Sequence, residues 1–208
     1  FYSNLVVAWE STTAYVDLAR TFFEVMALWG FINYIEKKEK KWLIESAIML
    51  GLAVSTKLLA IGSLVIFTVL FVYYYFTKKR EEEIHLKNIN TDIVVYWYTS
   101  IFVVLPWFVF SYFNTGNPVY PLFSSMYKVR FNLALLNPLT IIKDVWVLFI
   151  HAADPISPIY LMVLPLVIIL FKRFKLEIKL IGFYCVLALV VWYFTPRSGG
   201  GRFILAYL

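Results

Sequence analysis

The sequence predicts an all-α fold, a polytopic bundle of transmembrane helices with a short interfacial segment on its outer face. Three observations carry that reading. First, 62% of the 208 residues are hydrophobic and 20% are aromatic, with a mean hydropathy of +0.76. A soluble domain cannot be so apolar, because its surface must carry charge. Second, the apolar residues fall into runs long enough to cross a bilayer. Third, the basic residues gather in short segments between those runs, as the positive-inside rule requires.

Taken in order, Phe1 to Trp9 reads as the tail of a preceding apolar or interfacial element. A spanning helix is expected over 11–34, and Glu36-Lys37-Lys38-Glu39-Lys40-Lys41 follows it. The stretch from Trp42 to Phe76 is nearly all apolar. As one helix it would be about 50 Å long, too much for a ~30 Å hydrocarbon core. Bases flank both of its ends, Lys40-Lys41 and Lys78-Lys79-Arg80, and Ser55-Thr56-Lys57 interrupts it. It is therefore expected to fold back as a hairpin near Lys57, with arms 42–56 and 58–76.

Residues 77–91 read as a polar cytoplasmic connection without apolar periodicity, and a span over 92–113 climbs to the outer face. Gly116-Asn117-Pro118 then makes a turn that opens an outer segment over 114–158. Within it, Asn137-Pro138 suits the N-cap and first position of a helix running to about Ile150. That helix is too short to span, so it belongs in the interface. Asp154-Pro155-Ile156-Ser157-Pro158 ends the segment. The spans 159–171 and 180–194 follow, joined by an inner basic turn. An outer loop covers 195–202, and a last apolar stretch over 203–208 starts a new descent. With no initial Met, and an end inside an apolar run, the sequence reads as an internal fragment forming a single transmembrane domain.

The charges agree with this layout. Segments 36–41, 77–92 and 172–179 hold four Lys and Arg residues each, 12 of the 19 in the chain. The net charge of +6 therefore reports membrane topology, and nucleic acid is excluded as a partner. The seven other cations are Arg20, Lys57, Lys128, Arg130, Lys143, Arg197 and Arg202. A lone Cys185 excludes an internal disulfide and reads as a buried, inert thiol.

Several polar groups do not belong in lipid. Asp17, Arg20 and Glu24 lie in the first span and share one helical face, which Glu10 joins if the helix reaches back to it. A charge at the bilayer centre costs about 2.5–3.5 kcal/mol on insertion scales, so this face must look into protein or a wet cavity. Two readings stand for it. One is a self-neutralising cluster with Arg20 as the nearest partner of Asp17; the other is a carboxylate serving a substrate or ion path. Lys57 follows an arm that rises only about 22 Å as a helix. Its ammonium either lines a recess below the outer surface, where it suits a phosphate, or snorkels to the headgroups. In Thr195-Pro196-Arg197-Ser198-Gly199-Gly200-Gly201-Arg202, the glycines let backbone N–H groups approach an anion between two guanidinium forks. His151 with Asp154 is a weak metal pair. The glycines Gly30 and Gly62 suggest close helix packing.

These residues fall into motifs that resemble a known group. Glu10-Ser-Thr-Thr-Ala-Tyr15-Val-Asp17-Leu-Ala resembles the second acidic motif of the GT-C membrane glycosyltransferases. The likeness is to prokaryotic relatives of dolichyl-phosphate-mannose–protein mannosyltransferase and of the lipid A aminoarabinose transferase. Gly51-Leu-Ala-Val-Ser-Thr-Lys57 resembles the family's hairpin. Thr115-Gly-Asn-Pro-Val-Tyr-Pro121 is similar to its approach to the outer segment, and Arg202-Phe-Ile-Leu to the start of a late span.

The resemblance implies a GT-C-like bundle that takes a sugar from a polyprenyl-phosphate-linked donor. It passes that sugar to a protein, lipid or glycan acceptor at the extracytoplasmic face. It also implies a catalytic acid in a first outer loop that precedes this fragment, so Asp17 carries over only as the second, helix-borne acid, with Glu10 beside it. Lys57, Arg197 and Arg202 are the expected cations for the donor phosphate, and Tyr15, Asn117 and Tyr120 the expected substrate-lining residues. A divalent ion held by the acids is an open option. The expected location is the plasma membrane of a prokaryote, among membrane lipid. A secondary transporter using Asp17, Arg20 and Glu24 as a relay is the alternative, as is a flippase or non-catalytic subunit that grips lipid-linked sugars.

Overall fold

The structure, a computed structural model, describes residues 16–78, 86–124, 137–150 and 159–194. All regular structure in these residues is helical. In chain order the helices are α1 (Asp17–Lys37), α2 (Lys40–Thr56), α3 (Ile61–Lys78), α4 (Leu86–Thr115), α5 (Pro138–Ile150), α6 (Ile159–Leu170) and α7 (Leu176–Phe194). Short 3-10 turns at Leu58–Ala60 and Phe171–Arg173 lead into α3 and out of α6.

The connections explain the up-and-down course. Lys38 takes the left-handed conformation with φ 57°, and its N–H closes α1 on the Tyr34 carbonyl at 2.9 Å. Only Glu39 then separates it from α2, so α1 and α2 must run antiparallel. At the far end of α2, the Ser55 and Thr56 hydroxyls donate back to the Gly51 and Leu52 carbonyls at 2.9 and 2.8 Å, occupying the last turn. Lys57 is extended. Its N–H still bonds the Ala53 carbonyl, while its own carbonyl accepts from the Ala60 N–H. The chain thus breaks direction while both backbone groups of Lys57 stay hydrogen-bonded.

Side-chain contacts fix the register. Phe31 of α1 meets Phe67 and Phe71 of α3 edge-on, at 5.5 and 4.8 Å between centroids. Phe67 also touches Tyr96 of α4 and Tyr184 of α7, so one aromatic knot joins four helices. At one end of the bundle Asp92 of α4 accepts from Tyr34 and pairs with Lys40, and Lys38 donates to the Tyr74 hydroxyl. At the other end Asp17 meets Lys57. Tyr34 lies 17 positions beyond Asp17, about 26 Å along a helix, close to the ~30 Å thickness of a hydrocarbon core. Two described segments, Leu58–Thr77 and Asn90–Thr115, are long and apolar enough to cross it.

The start of α4 departs from expectation. Residues 86–91 were expected in a connection and are instead helical. Hydropathy marks where a helix enters lipid, and nothing in Leu86-Lys87-Asn88-Ile89-Asn90-Thr91 stops a helix from extending past that boundary. At its C-terminal end α4 stops at Thr115, and Gly116 follows with φ 71°, a conformation that favours glycine.

Close approach depends on small residues. A Cβ on Gly51 would stand 2.7 Å from both the Ser100 carbonyl and the Val103 Cβ of α4. On Gly30 it would stand 3.1 Å from Ser46 of α2, and on Gly62 2.9 Å from Val191 of α7. The same contacts carry hydrogen bonds: Ser46 Oγ donates to the Ala27 carbonyl at 2.6 Å, and Ser100 Oγ to the Ala47 carbonyl at 2.9 Å. Gly51→Ala should therefore destabilise the bundle by about 1–3 kcal/mol, the range for overpacking a close contact. Gly182→Ala, whose Cβ would meet only Phe171 at 3.9 Å, should be tolerated. Thermal unfolding in detergent checks the order Gly51 worst, Gly30 intermediate, Gly182 neutral.

Candidate functional site

The charged face of α1 forms the site. Asp17 stands in its first turn, where an acid also favours the positive end of the helix dipole. Asp17, Arg20 and Glu24 are all buried. The Lys57 ammonium donates to Asp17 Oδ1; the side chains are 18% and 4% exposed respectively, so the pair sits at the rim with the lysine on the open side. Thr21 Oγ1 donates to the Asp17 carbonyl at 2.8 Å, holding the first turn.

The pairing corrects the expectation that Arg20 is the nearest charged partner of Asp17. Arg20 Nε donates instead to Glu24 Oε1 at 2.7 Å, one turn deeper. The other oxygen, Glu24 Oε2, accepts from the Tyr184 hydroxyl at 2.9 Å. Glu24 is fully buried, and both of its oxygens are hydrogen-bonded, the condition under which a buried carboxylate is tolerated.

Of the expected site residues, the fold brings Asp17 and Lys57 together from 40 positions apart. Asn117 and Tyr120 lie in the loop after α4. Asn117 braces that loop: its Oδ1 accepts from Val119 N–H at 3.0 Å and its Nδ2 donates to the Leu122 carbonyl at 2.7 Å. Its carbonyl accepts from Ser111 Oγ at 2.9 Å. Both ends of its amide therefore serve the loop itself. Tyr120 is partly exposed. Since Val103 packs at Gly51, helical rise puts Thr115 about 18 Å beyond that level and Lys57 about 9 Å. The loop is thus at the same end as the ion pair but roughly 9 Å further out. Glu10, Tyr15, Arg197, Arg202 and the His151–Asp154 pair lie outside the described residues. Among the described residues no cluster of three or more His, Cys, Asp or Glu gathers to hold a metal.

Two polar residues escaped the sequence reading. Tyr184 sits in an apolar run where an aromatic normally means packing. In the sequence Asp92 marks only the boundary of a span, yet it is buried and holds Tyr34 and Lys40. An acid at the same end of the bundle as a lysine-rich segment was the available signal.

The helices and their buried ion pairs define an integral membrane protein with one polar site built into the end of its bundle. The profile described as dolichyl-phosphate-mannose-protein mannosyltransferase matches residues 1–117, more than half of the sequence. The chain belongs to that family and is a glycosyltransferase of the mannosyltransferase kind. The match includes Asp17, Lys57 and Asn117. No curated protein and no solved structure matches the chain.

The site makes a prediction about stability. Asp17→Asn and Lys57→Met should each lower stability, since each removes one half of an ion pair whose carboxylate is buried. The loss should stay below the about 3–5 kcal/mol of a fully buried pair, because Lys57 keeps a window to solvent. The double variant should recover most of it. Unfolding of all three in detergent, read as a double-variant cycle, checks the pairing.

Proposed function

We propose that the protein transfers a sugar from a polyprenyl-phosphate-linked donor to an acceptor at the extracytoplasmic face of the membrane. The observation that carries this reading is the Asp17–Lys57 pair, a carboxylate and a cation at the bundle end opposite the lysine-rich one. In the transfer, the acceptor hydroxyl attacks the anomeric carbon and loses its proton to a base. The bond from that carbon to the phosphate oxygen breaks, and the phosphate departs with the electron pair. A cation beside the phosphate stabilises the charge that develops there, and a carboxylate beside the sugar orients the acceptor or takes its proton.

Lys57 is assigned the phosphate, with Arg197 and Arg202 as further cations, and Asp17 and Glu10 are assigned the sugar or acceptor. Tyr15, Asn117 and Tyr120 are assigned to the substrate path, Asn117 by holding the loop in shape. Family membership supports the reaction class. The positive-inside distribution of Lys and Arg supports the outward orientation. A protein, lipid or glycan acceptor and a prokaryotic plasma membrane complete the reading.

Two measurements test it. In membranes containing the protein, Asp17→Asn and Lys57→Ala should each cut sugar transfer from a polyprenyl-phosphate donor by about tenfold or more, as for losing a charged contact. The Asp17→Asn/Lys57→Met double variant should be stable but inactive; an active one would return the pair to a purely structural role. For orientation, Cys185 is first replaced by Ala. A cysteine then put at the exposed Phe123 should react with an impermeant maleimide added to intact cells, while one at Lys172 should react only after permeabilisation. The reverse pattern would put the site on the cytoplasmic side.

A further inference from the structure

Two basic turns lie at one end of the bundle, and they are built differently. Phe183 of α7 meets Tyr73 of α3 at 5.0 Å between centroids, and further along Val191 lies beside Gly62. The two helices therefore run antiparallel, and α7 begins at the end where Lys38 holds Tyr74. In the turn between α1 and α2 every lysine is engaged. Lys37 and Lys41 lie over the Trp42 ring at 4.3 and 5.7 Å, and Lys41 also pairs with Glu39 at 2.6 Å. Lys38 donates to the Tyr74 hydroxyl, and Lys40 meets Asp92.

The turn between α6 and α7 sets Lys172, Arg173, Lys175 and Lys179 against a single acid, Glu177. Glu177 stands in the first turn of α7, where a carboxylate suits the positive end of the helix dipole. Lys172, Arg173 and Lys175 are exposed, and among the described residues no carboxylate pairs with any of the four cations. Lys179 folds back over the turn, its Nζ 3.5 Å from the Lys172 carbonyl. The charges are thus gathered in one place, where they repel one another and an anion offsets that repulsion.

Apolar surface begins next to these cations. Lys175, Ile178 and Ile181 share one face of α7, and both isoleucines are exposed. Phe171 lies against the same face, 3.9 Å from where a Cβ on Gly182 would stand, and is 42% exposed. A small soluble anion would use the cations alone. A phospholipid uses both parts, its phosphate on the cations and its chains along the apolar face.

We infer that the α6–α7 turn is a docking site for an anionic phospholipid, with Arg173 and Lys175 holding the headgroup phosphate. A guanidinium grips two phosphate oxygens through its fork, and an ammonium adds a point charge. Basic clusters beside a spanning helix attract anionic lipid at roughly fivefold in affinity per cation. The inference is independent of the sugar-transfer reading and of which side of the membrane this end faces.

The test titrates phosphatidylglycerol, with phosphatidylcholine of equal chain length as reference, into the complete protein in detergent and reads bound lipid by native mass spectrometry. Native protein should prefer phosphatidylglycerol. Arg173→Gln and Lys175→Gln should each weaken its binding about fivefold and together about 25-fold, with phosphatidylcholine binding and thermal unfolding unchanged. Lys37→Gln/Lys41→Gln removes the same net charge at the other turn and should leave binding within about twofold of native. Equal affinity of the native protein for the two lipids would overturn the site. So would equal losses in the two double variants, which would make the preference one of net charge. Competition by soluble glycerol phosphate at the concentration of the lipid would assign the turn to a free phosphate instead. The acidic run Glu81-Glu82-Glu83 lies outside the described residues and is the rival occupant. A preference for phosphatidylglycerol that emerges only in Glu81→Gln/Glu82→Gln/Glu83→Gln would give the cations to those acids and sink the proposal.

Discussion

A charge buried among membrane-spanning helices must find an opposite charge within reach, and this condition organises the bundle. Three charged residues on the inner face of α1 cannot point to lipid, so other elements must come to them. Lys57 comes from the break between α2 and α3, and Tyr184 from α7. The break lets a lysine stand at the level of Asp17 while its backbone groups stay bonded on either side. The polar site and the helical framework are thus consequences of one requirement.

Helices in lipid gain little from burying apolar surface against one another, so close packing and hydrogen bonds must hold them. Gly30, Gly51 and Gly62 each mark a contact where a neighbouring helix is too near for a methyl group to fit in place. Ser46 and Ser100 use that proximity to reach backbone carbonyls across the interface. The glycine contacts and the aromatic knot around Phe67 keep α1 to α4 in fixed register. A fixed register is what allows a short ammonium-to-carboxylate contact at one end.

The two ends of the bundle are chemically different. One carries Lys37 and Lys41 over Trp42, Lys40 on the buried Asp92 and Lys38 on Tyr74. The other carries the Asp17–Lys57 pair and the tightly braced loop at Asn117. Between them α4 and α6 leave large apolar side chains such as Phe102, Phe113, Met162 and Ile169 exposed. Such surfaces suit a hydrocarbon surrounding.

The sequence by itself determined the all-α membrane class, because composition and the spacing of basic segments leave no soluble alternative. It also determined the family, because short motifs around Asp17, Lys57 and Asn117 are local and survive in one dimension. Gly30 and Gly62 pointed to helix contacts, though not to which helices. The tertiary structure decided the pairing of charges. Sequence periodicity sees only neighbours at i+3 and i+4, so it linked Asp17 to Arg20, whereas the fold gave Asp17 a partner 40 positions away. It likewise could not find Tyr184, 160 residues from Glu24, since an aromatic in an apolar run carries no local sign of a polar duty. Which counter-charge a buried group finds depends on which helix arrives at its level, and that is a property of packing.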